Sequence, residues 1–288
     1  MASDKRSLVE IHVAVLLFGL AGLFAKLIPL PALEITFWRV LFATIALVAM
    51  ILILKQSLAL QSKIHYFYLV LLGALLAVHW AAFFQSIQVS SVAIGLLSYS
   101  TFPIFTTFLE PFVFKEKLRK IDVATAIVVL LGVALMIPSL ELGNNVTQGV
   151  LWGVLSGAAF AVLSVVNKKY VSQYSSIVIT FYQVAVATLL LLPLFLLQVQ
   201  LQPWQFEARN IFLLAVLGVI FTAFSHMLFI KGMQRVKAQL ASLIATLEPV
   251  YGIIFAALLL GEIPSIRTIG GAVLILGAIA YSMMKRDN

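Results

Sequence analysis

Not one cysteine occurs among the 288 residues. That excludes disulfides, thiolate nucleophiles and cysteine-ligated metal, and it says little about compartment in a chain that lies mostly in lipid. Charge is scarce too: Asp, Glu, Lys and Arg make up 10% of the sequence, against roughly a quarter in ordinary soluble domains. There is no His-Glu-x-x-His pair, no Gly-x-Ser-x-Gly elbow, no P-loop and no aspartate-rich metal motif. An intramembrane enzyme and a nucleotide-driven pump therefore lack their chemistry, no cofactor or metal is expected, and energy has to come from gradients. No linker is long enough to hold a soluble domain.

What the chain has instead is apolar length. It is 62% hydrophobic, with a mean hydropathy of +1.10, and runs near 20 residues recur throughout. Each can cross a hydrocarbon core of about 30 Å at about 1.5 Å per helical residue. Reading runs between polar breaks predicts ten helices at about 8 to 28, 33 to 54, 65 to 87, 89 to 114, 121 to 138, 147 to 167, 176 to 198, 210 to 231, 236 to 260 and 266 to 284. The first has no small-residue cleavage site after its polar start, so it is expected to be retained. Turn chemistry such as Ile28-Pro29-Leu30-Pro31 and Leu142-Gly143-Asn144-Asn145 separates several runs.

A net charge of +8 in a soluble protein would suggest nucleic acid. Here the basic residues sit in short loops, where they signal topology rather than a binding patch. With a cytoplasmic N-terminus, 15 of the 19 Lys and Arg fall in inside segments, Arg209 and Arg267 fall outside, and Lys26 and Arg39 lie within spans. Both termini are then expected to be cytoplasmic, in the inner (cytoplasmic) membrane of a bacterial-type cell.

The sequence also repeats. Ile35-Thr36-Phe37-Trp38-Arg39-Val40 in the second span matches Ile179-Thr180-Phe181-Tyr182-Gln183-Val184 in the seventh, at an offset of 144. Pro103 precedes Glu116 by 13 residues as Pro249 precedes Glu262, and Gly132 is matched by Gly277. Two units follow, residues 1–141 and 142–288. Five spans per unit is an odd number, so copies of one order must enter the bilayer in opposite directions, the architecture of alternating-access carriers.

The segment from Ser90 to Leu118, with Tyr99, Pro103 and Lys115-Glu116, and its counterpart from Ala238 to Ile263, with Thr246-Leu247-Glu248-Pro249 and Leu260-Gly261-Glu262, resemble the EamA-type drug/metabolite transporter family. Phe37-Trp38-Arg39 and the run Gly270 to Ile275 are similar to it too. The resemblance covers nearly the whole chain, twice, and implies a ten-helix carrier of small organic metabolites, often an exporter, with a cavity between the halves. One departure is Gln183 where the first half has Arg39.

Glu248 falls at mid-membrane, where a lone acid costs roughly 2.5 to 3.5 kcal/mol. It either binds a substrate amine or carries a coupling proton, or it is a protonated carboxyl bonded to backbone freed by Pro249. Pro103 and Pro249 are expected to kink their helices, as pivots or as static bends. Arg39, about two turns inside its span, either snorkels outward or faces the cavity toward a carboxylate. Lys26 reads as an interfacial anchor. His79, Trp80 and Phe83 at helical spacing could form an aromatic-lined pocket, with Tyr99, Tyr182 and Gln183 as further candidates and His226 a weaker one. Glu116 and Glu262 read as caps or braces of the following helices.

The sparse charge within spans disfavours a strongly anionic substrate. Neutral or zwitterionic metabolites fit, with amino acids or related compounds as the leading class and multidrug or general metabolite efflux as the alternative. A channel would conduct without saturating, and a receptor fits ten spans and small loops badly.

Overall fold

In lipid a chain has no water to satisfy its backbone, so apolar runs must close their own hydrogen bonds as helices. The computed structural model describes all residues except 1, 116, 117, 119, 140, 172, 202–206, 234–243 and 285–288, and its described elements are all helical. They are α1 (Ala2–Ala21), α2 (Phe24–Leu27), α3 (Ala32–Leu54), α4 (Lys63–Val89), α5 (Val92–Tyr99), α6 (Phe102–Phe114), α7 (Lys120–Met136), α8 (Asn145–Val166), α9 (Ser176–Leu201), α10 (Ala208–Gly218), α11 (Ser225–Met233), α12 (Glu248–Leu260) and α13 (Ile266–Met284). Two π-helical segments, Asn167–Val171 and Val219–Phe224, extend α8 and join α10 to α11.

Seven segments among the described residues are long and apolar enough to cross a membrane. Ser7–Leu27, Val92–Phe114 and Ala208–Gly232 are three of them, each assembled from consecutive helices. α7, α12 and α13 are shorter and equally apolar. Leucine and isoleucine crowd the outer surface, with Leu52, Ile53, Leu189, Leu258 and Leu259 exposed. This is a multi-pass membrane protein whose outward face suits acyl chains.

Without a hydrophobic force between helices in lipid, close approach of backbones decides packing. Along α8, Gly149, Gly153 and Gly157 recur every four residues and form one stripe facing α5 and the start of α6. A Cβ at Gly149 or Gly153 would collide with the side chains of Ser90 and Ser98, and one at Gly157 would stand 2.8 Å from the Tyr99 carbonyl oxygen. Gly19 of α1 does the same for α12, where its Cβ would lie 2.7 Å from the Glu248 carbonyl. Gly157→Val is expected to cost about 1–3 kcal/mol by overpacking against backbone that cannot rotate away. Thermal melting in detergent should show the loss, and an unchanged melt would contradict the role of the stripe.

The fourth expected span is broken rather than kinked. α5 ends at Tyr99, Ser100 and Thr101 turn, and α6 starts at Phe102 with Pro103 in its first turn. There a missing N–H costs nothing and the fixed φ suits a helix start. The turn is closed by the Ser98 carbonyl, which accepts from the Thr101 amide (3.2 Å) and hydroxyl (2.7 Å). Pro249 has the same position in α12, after a turn at Thr246 and Leu247. The expectation that either proline removes a bond from a continuous helix is corrected accordingly.

Several helix pairs pack along each other. α3 lies along α9, with Thr44 Oγ1 3.1 Å from Thr188 Oγ1. α7 lies along α13, where Cβ atoms at Gly132 and Gly271 would stand 3.0 and 2.7 Å from each other's carbonyls. α4 packs on α8, and α11 packs on α1.

Candidate substrate site

Arg39 does not snorkel. It is 3% exposed, its Nε donates to Thr222 Oγ1 at 3.0 Å, and its guanidinium carbon sits 4.1 Å from the Trp80 ring centroid and 5.1 Å from that of Phe84. A desolvated cation over an aromatic face gains about 2 kcal/mol, and a charged hydrogen bond adds about 1.5–3. Together these offset the cost that would otherwise drive the side chain outward. Among the described residues Arg39 pairs with no carboxylate, so its terminal nitrogens keep their donors.

Trp80 also meets His226, 5.9 Å away edge to face, and His226 meets Phe18 at 6.0 Å. On the other side His79 lies 5.2 Å from Tyr99 and 5.0 Å from Phe160, and Phe102 stacks on Tyr99 at 5.5 Å. His79 Nδ1 is held by Ser156, 2.7 Å from its hydroxyl and 3.1 Å from its carbonyl oxygen. Phe83 completes this wall, 5.7 Å from Tyr99. Glu248 is buried in the first turn of α12, which packs against α5, the helix that ends in Tyr99. Its carboxyl has no hydrogen-bond partner among the described residues.

All five of these polar groups are buried. Arg39, His79, Tyr99, His226 and Glu248 keep 3, 5, 6, 7 and 8% exposure, whereas Phe84, Leu96 and Leu97 behind them keep none. One cation, two imidazoles and a phenol thus lie among neighbouring rings, with one acid at the start of a helix that packs on α5. The break between α5 and α6 supplies Tyr99, and the start of α12 supplies Glu248. Both positions follow from the prolines that begin the half-helices.

Tyr182 and Gln183 make their described contacts elsewhere. Tyr182 donates to the Leu58 carbonyl at 2.9 Å and meets Tyr66, near the α3–α4 connection. Gln183 Nε2 donates to Asn167 Oδ1 at 2.9 Å, while its Oε1 is buried with no partner among the described residues. His226, a weak candidate from sequence, belongs to the cluster. Phe18, Phe102, Ser156, Phe160 and Thr222 join it with no signal in the sequence beyond their apolar or small-polar type.

Lys26 is more than an interfacial anchor. Its ammonium donates to the Ser90 carbonyl at 3.0 Å and lies 3.9 Å from Glu262, whose other oxygen accepts from the Val92 amide at 2.9 Å. Glu262 thus caps α5, not the helix that follows it, because an anion gains most at a free helix N-terminus. The ends of α2, α4, α5 and α12 are tied together here. At the opposite end, Lys231 pairs with Glu10 at 2.8 Å and Lys168 with Glu110 at 3.5 Å; Glu116 lies outside the described residues. Glu262→Gln is expected to loosen the first tie. A cysteine introduced at Ala93, in a chain with no other, should then react several-fold faster with a water-soluble thiol reagent, and an unchanged rate would count against the tie.

The EamA-like transporter family model matches residues 7–137 and again 147–284. The chain belongs to the EamA-like transporter family. As such it is a secondary transporter of small organic solutes, not an enzyme. This EamA-like transporter is similar to an uncharacterized transporter of Bacillus subtilis, 26% identical over 295 residues that cover 100% of this chain and 93% of that one. It is also similar to an S-adenosylmethionine uptake transporter of Rickettsia conorii, 27% identical over 265 residues, 90% of this chain and 86% of that one. A solved crystal structure shares the fold with a TM-score of 0.67 at 18% identity, covering 98% and 97% of the two chains.

Proposed function

We propose that this EamA-like transporter carries zwitterionic metabolites, amino acids or related compounds with a planar or apolar side group, by alternating access. The observation that carries the reading is a buried arginine with unused donors seated against a connected set of rings, with a buried carboxyl, unpartnered among the described residues, on a helix packed against the α5 that ends in Tyr99. Arg39 would take a substrate carboxylate, Glu248 the ammonium, and His79, Trp80, Phe83 and Tyr99 the side group. The name of the Rickettsia relatives, S-adenosylmethionine uptake transporters, supports the class, since that solute is an amino acid with a planar base.

Alternating access is supported by the arrangement of the halves. Thr44 and Thr188 are 144 residues apart, the offset of the sequence repeat, and they touch. A residue meeting its own repeat partner is what an axis between two copies produces. The α4–α8 and α1–α11 pairs would be equivalents under that exchange. Five spans per half, residues 1–141 and 142–288, would then be inverted copies, with both termini cytoplasmic in the inner membrane. The half-helix starts at Pro103 and Pro249 would be the pivots. Glu248 is the candidate proton carrier for coupling and export the working direction; a broad efflux carrier is the alternative.

Inverted membrane vesicles carrying the protein, offered radiolabelled amino acids and S-adenosylmethionine with and without a proton gradient, test this. Saturable uptake stimulated by the gradient is expected for at least one of them. Uptake of unrelated apolar cations in place of any amino acid would favour the efflux alternative.

A further inference from the structure

α10 and α3 touch backbone to backbone at one level: a Cβ at Gly218 would stand 2.7 Å from the Arg39 carbonyl oxygen and 3.2 Å from the Ala43 amide nitrogen. Directly after Gly218 the helix widens into the π segment Val219–Phe224. The widening changes which residues face α3 and α4. An α-helix turns about 400° in four residues, so positions four and eight along drift about 40° and 80° around the axis. A wider turn removes that drift. Gly218, Thr222 and His226 accordingly meet one line of partners: the Arg39 backbone, the Arg39 guanidinium and Trp80.

The Thr222 hydroxyl is also polarised. It donates its own hydrogen to the Leu217 carbonyl at 2.8 Å, so toward Arg39 it can act only as an acceptor. With Nε fixed by that oxygen and the guanidinium carbon 4.1 Å over the Trp80 ring, the two terminal nitrogens are left as the free edge of the fork. This is the edge that meets a carboxylate with two parallel bonds.

We infer that Thr222, carried by the π turn, is a positioning residue that sets the Arg39 fork for substrate carboxylates and so makes the site discriminate them from amines. The inference rests on the functional reading above. Thr222 touches no substrate itself; it acts through Arg39. The π turn is therefore part of the recognition apparatus, since an α-helical version would rotate the hydroxyl away from α3.

Proteoliposomes with purified protein and two radiolabelled probes, phenylalanine and its decarboxylated analogue phenethylamine, test this. Thr222→Val keeps shape and removes the acceptor. It is expected to raise the KM for phenylalanine about tenfold, the effect of one charged hydrogen bond, with little change in maximal rate and none in phenethylamine flux. Thr222→Ser keeps the hydroxyl and should restore the KM, a rescue that a packing role alone would not give. An unchanged size-exclusion profile and melting temperature of Thr222→Val in detergent report that the protein is folded. Equal KM shifts for both probes, or a shift unrescued by serine, would overturn the inference. Arg39→Met separates the levels: if it abolishes the preference for phenylalanine while Thr222→Val leaves the preference intact, only the positioning role fails. If the unaltered protein shows no saturable phenylalanine uptake, the functional reading fails and this inference with it.

Discussion

Arg39→Met is expected to reduce the apparent affinity for a transported amino acid by 100-fold or more, the largest effect of any single substitution in the chamber. The two terminal nitrogens of the fork, each worth about 1.5–3 kcal/mol as charged donors, would be lost together. Methionine keeps the unbranched apolar stem but loses the guanidinium over Trp80, so melting in detergent is measured alongside and should show that the fold persists. Arg39→Lys should recover little, because a point charge cannot stack on Trp80 and present two parallel donors at once. Half-saturation constants for labelled amino acid in proteoliposomes give the answer. Near-normal affinity in Arg39→Met would mean that the buried cation is structural and that the carboxylate is held elsewhere.

Glu248→Gln is expected to separate exchange from accumulation. The amide keeps the volume and hydrogen-bonding capacity of the carboxyl at the start of α12 but cannot take up and release a proton. If Glu248 carries the coupling proton, exchange of labelled for unlabelled substrate should survive within a few-fold, while accumulation driven by a proton gradient should fall to the level seen without one. If it holds the substrate ammonium instead, both should fall together, since a charged hydrogen bond is lost in every mode. Coupling equal to that of the unaltered protein would remove the proton role altogether.

The helical, multi-pass character of the chain is legible in its sequence. Apolar run length set the helices because lipid leaves the backbone no alternative, and the prolines and the acid beside Pro249 marked the special places in two of them. The placement of Arg39 was not legible. Whether a membrane arginine reaches outward or turns inward depends on partners, and Thr222 lies 183 residues away, in another helix and on a π turn that no local pattern announces. The broken fourth span was misread for a similar reason. Pro103 kinks a helix or begins one according to whether Ser98 and Thr101 close a turn just before it. Tyr182 and Gln183 stand in the repeat where the first half has Trp38 and Arg39. The contacts differ between the halves: Gln183 bonds Asn167 where Arg39 bonds Thr222. Equivalence of backbone does not carry equivalence of side-chain environment. Lys26 and Glu262 sit near opposite ends of the sequence, so only tertiary structure could pair them.

The central claim is that a chamber bounded by Arg39, Glu248 and the aromatic walls binds one solute at a time and opens to either face. Counterflow measures this most directly. Proteoliposomes preloaded with unlabelled phenylalanine and diluted into a trace of labelled phenylalanine should show a transient overshoot that saturates with load and disappears in Arg39→Met. Flux that rises linearly with concentration, shows no overshoot and ignores that substitution would contradict the claim and describe a pore.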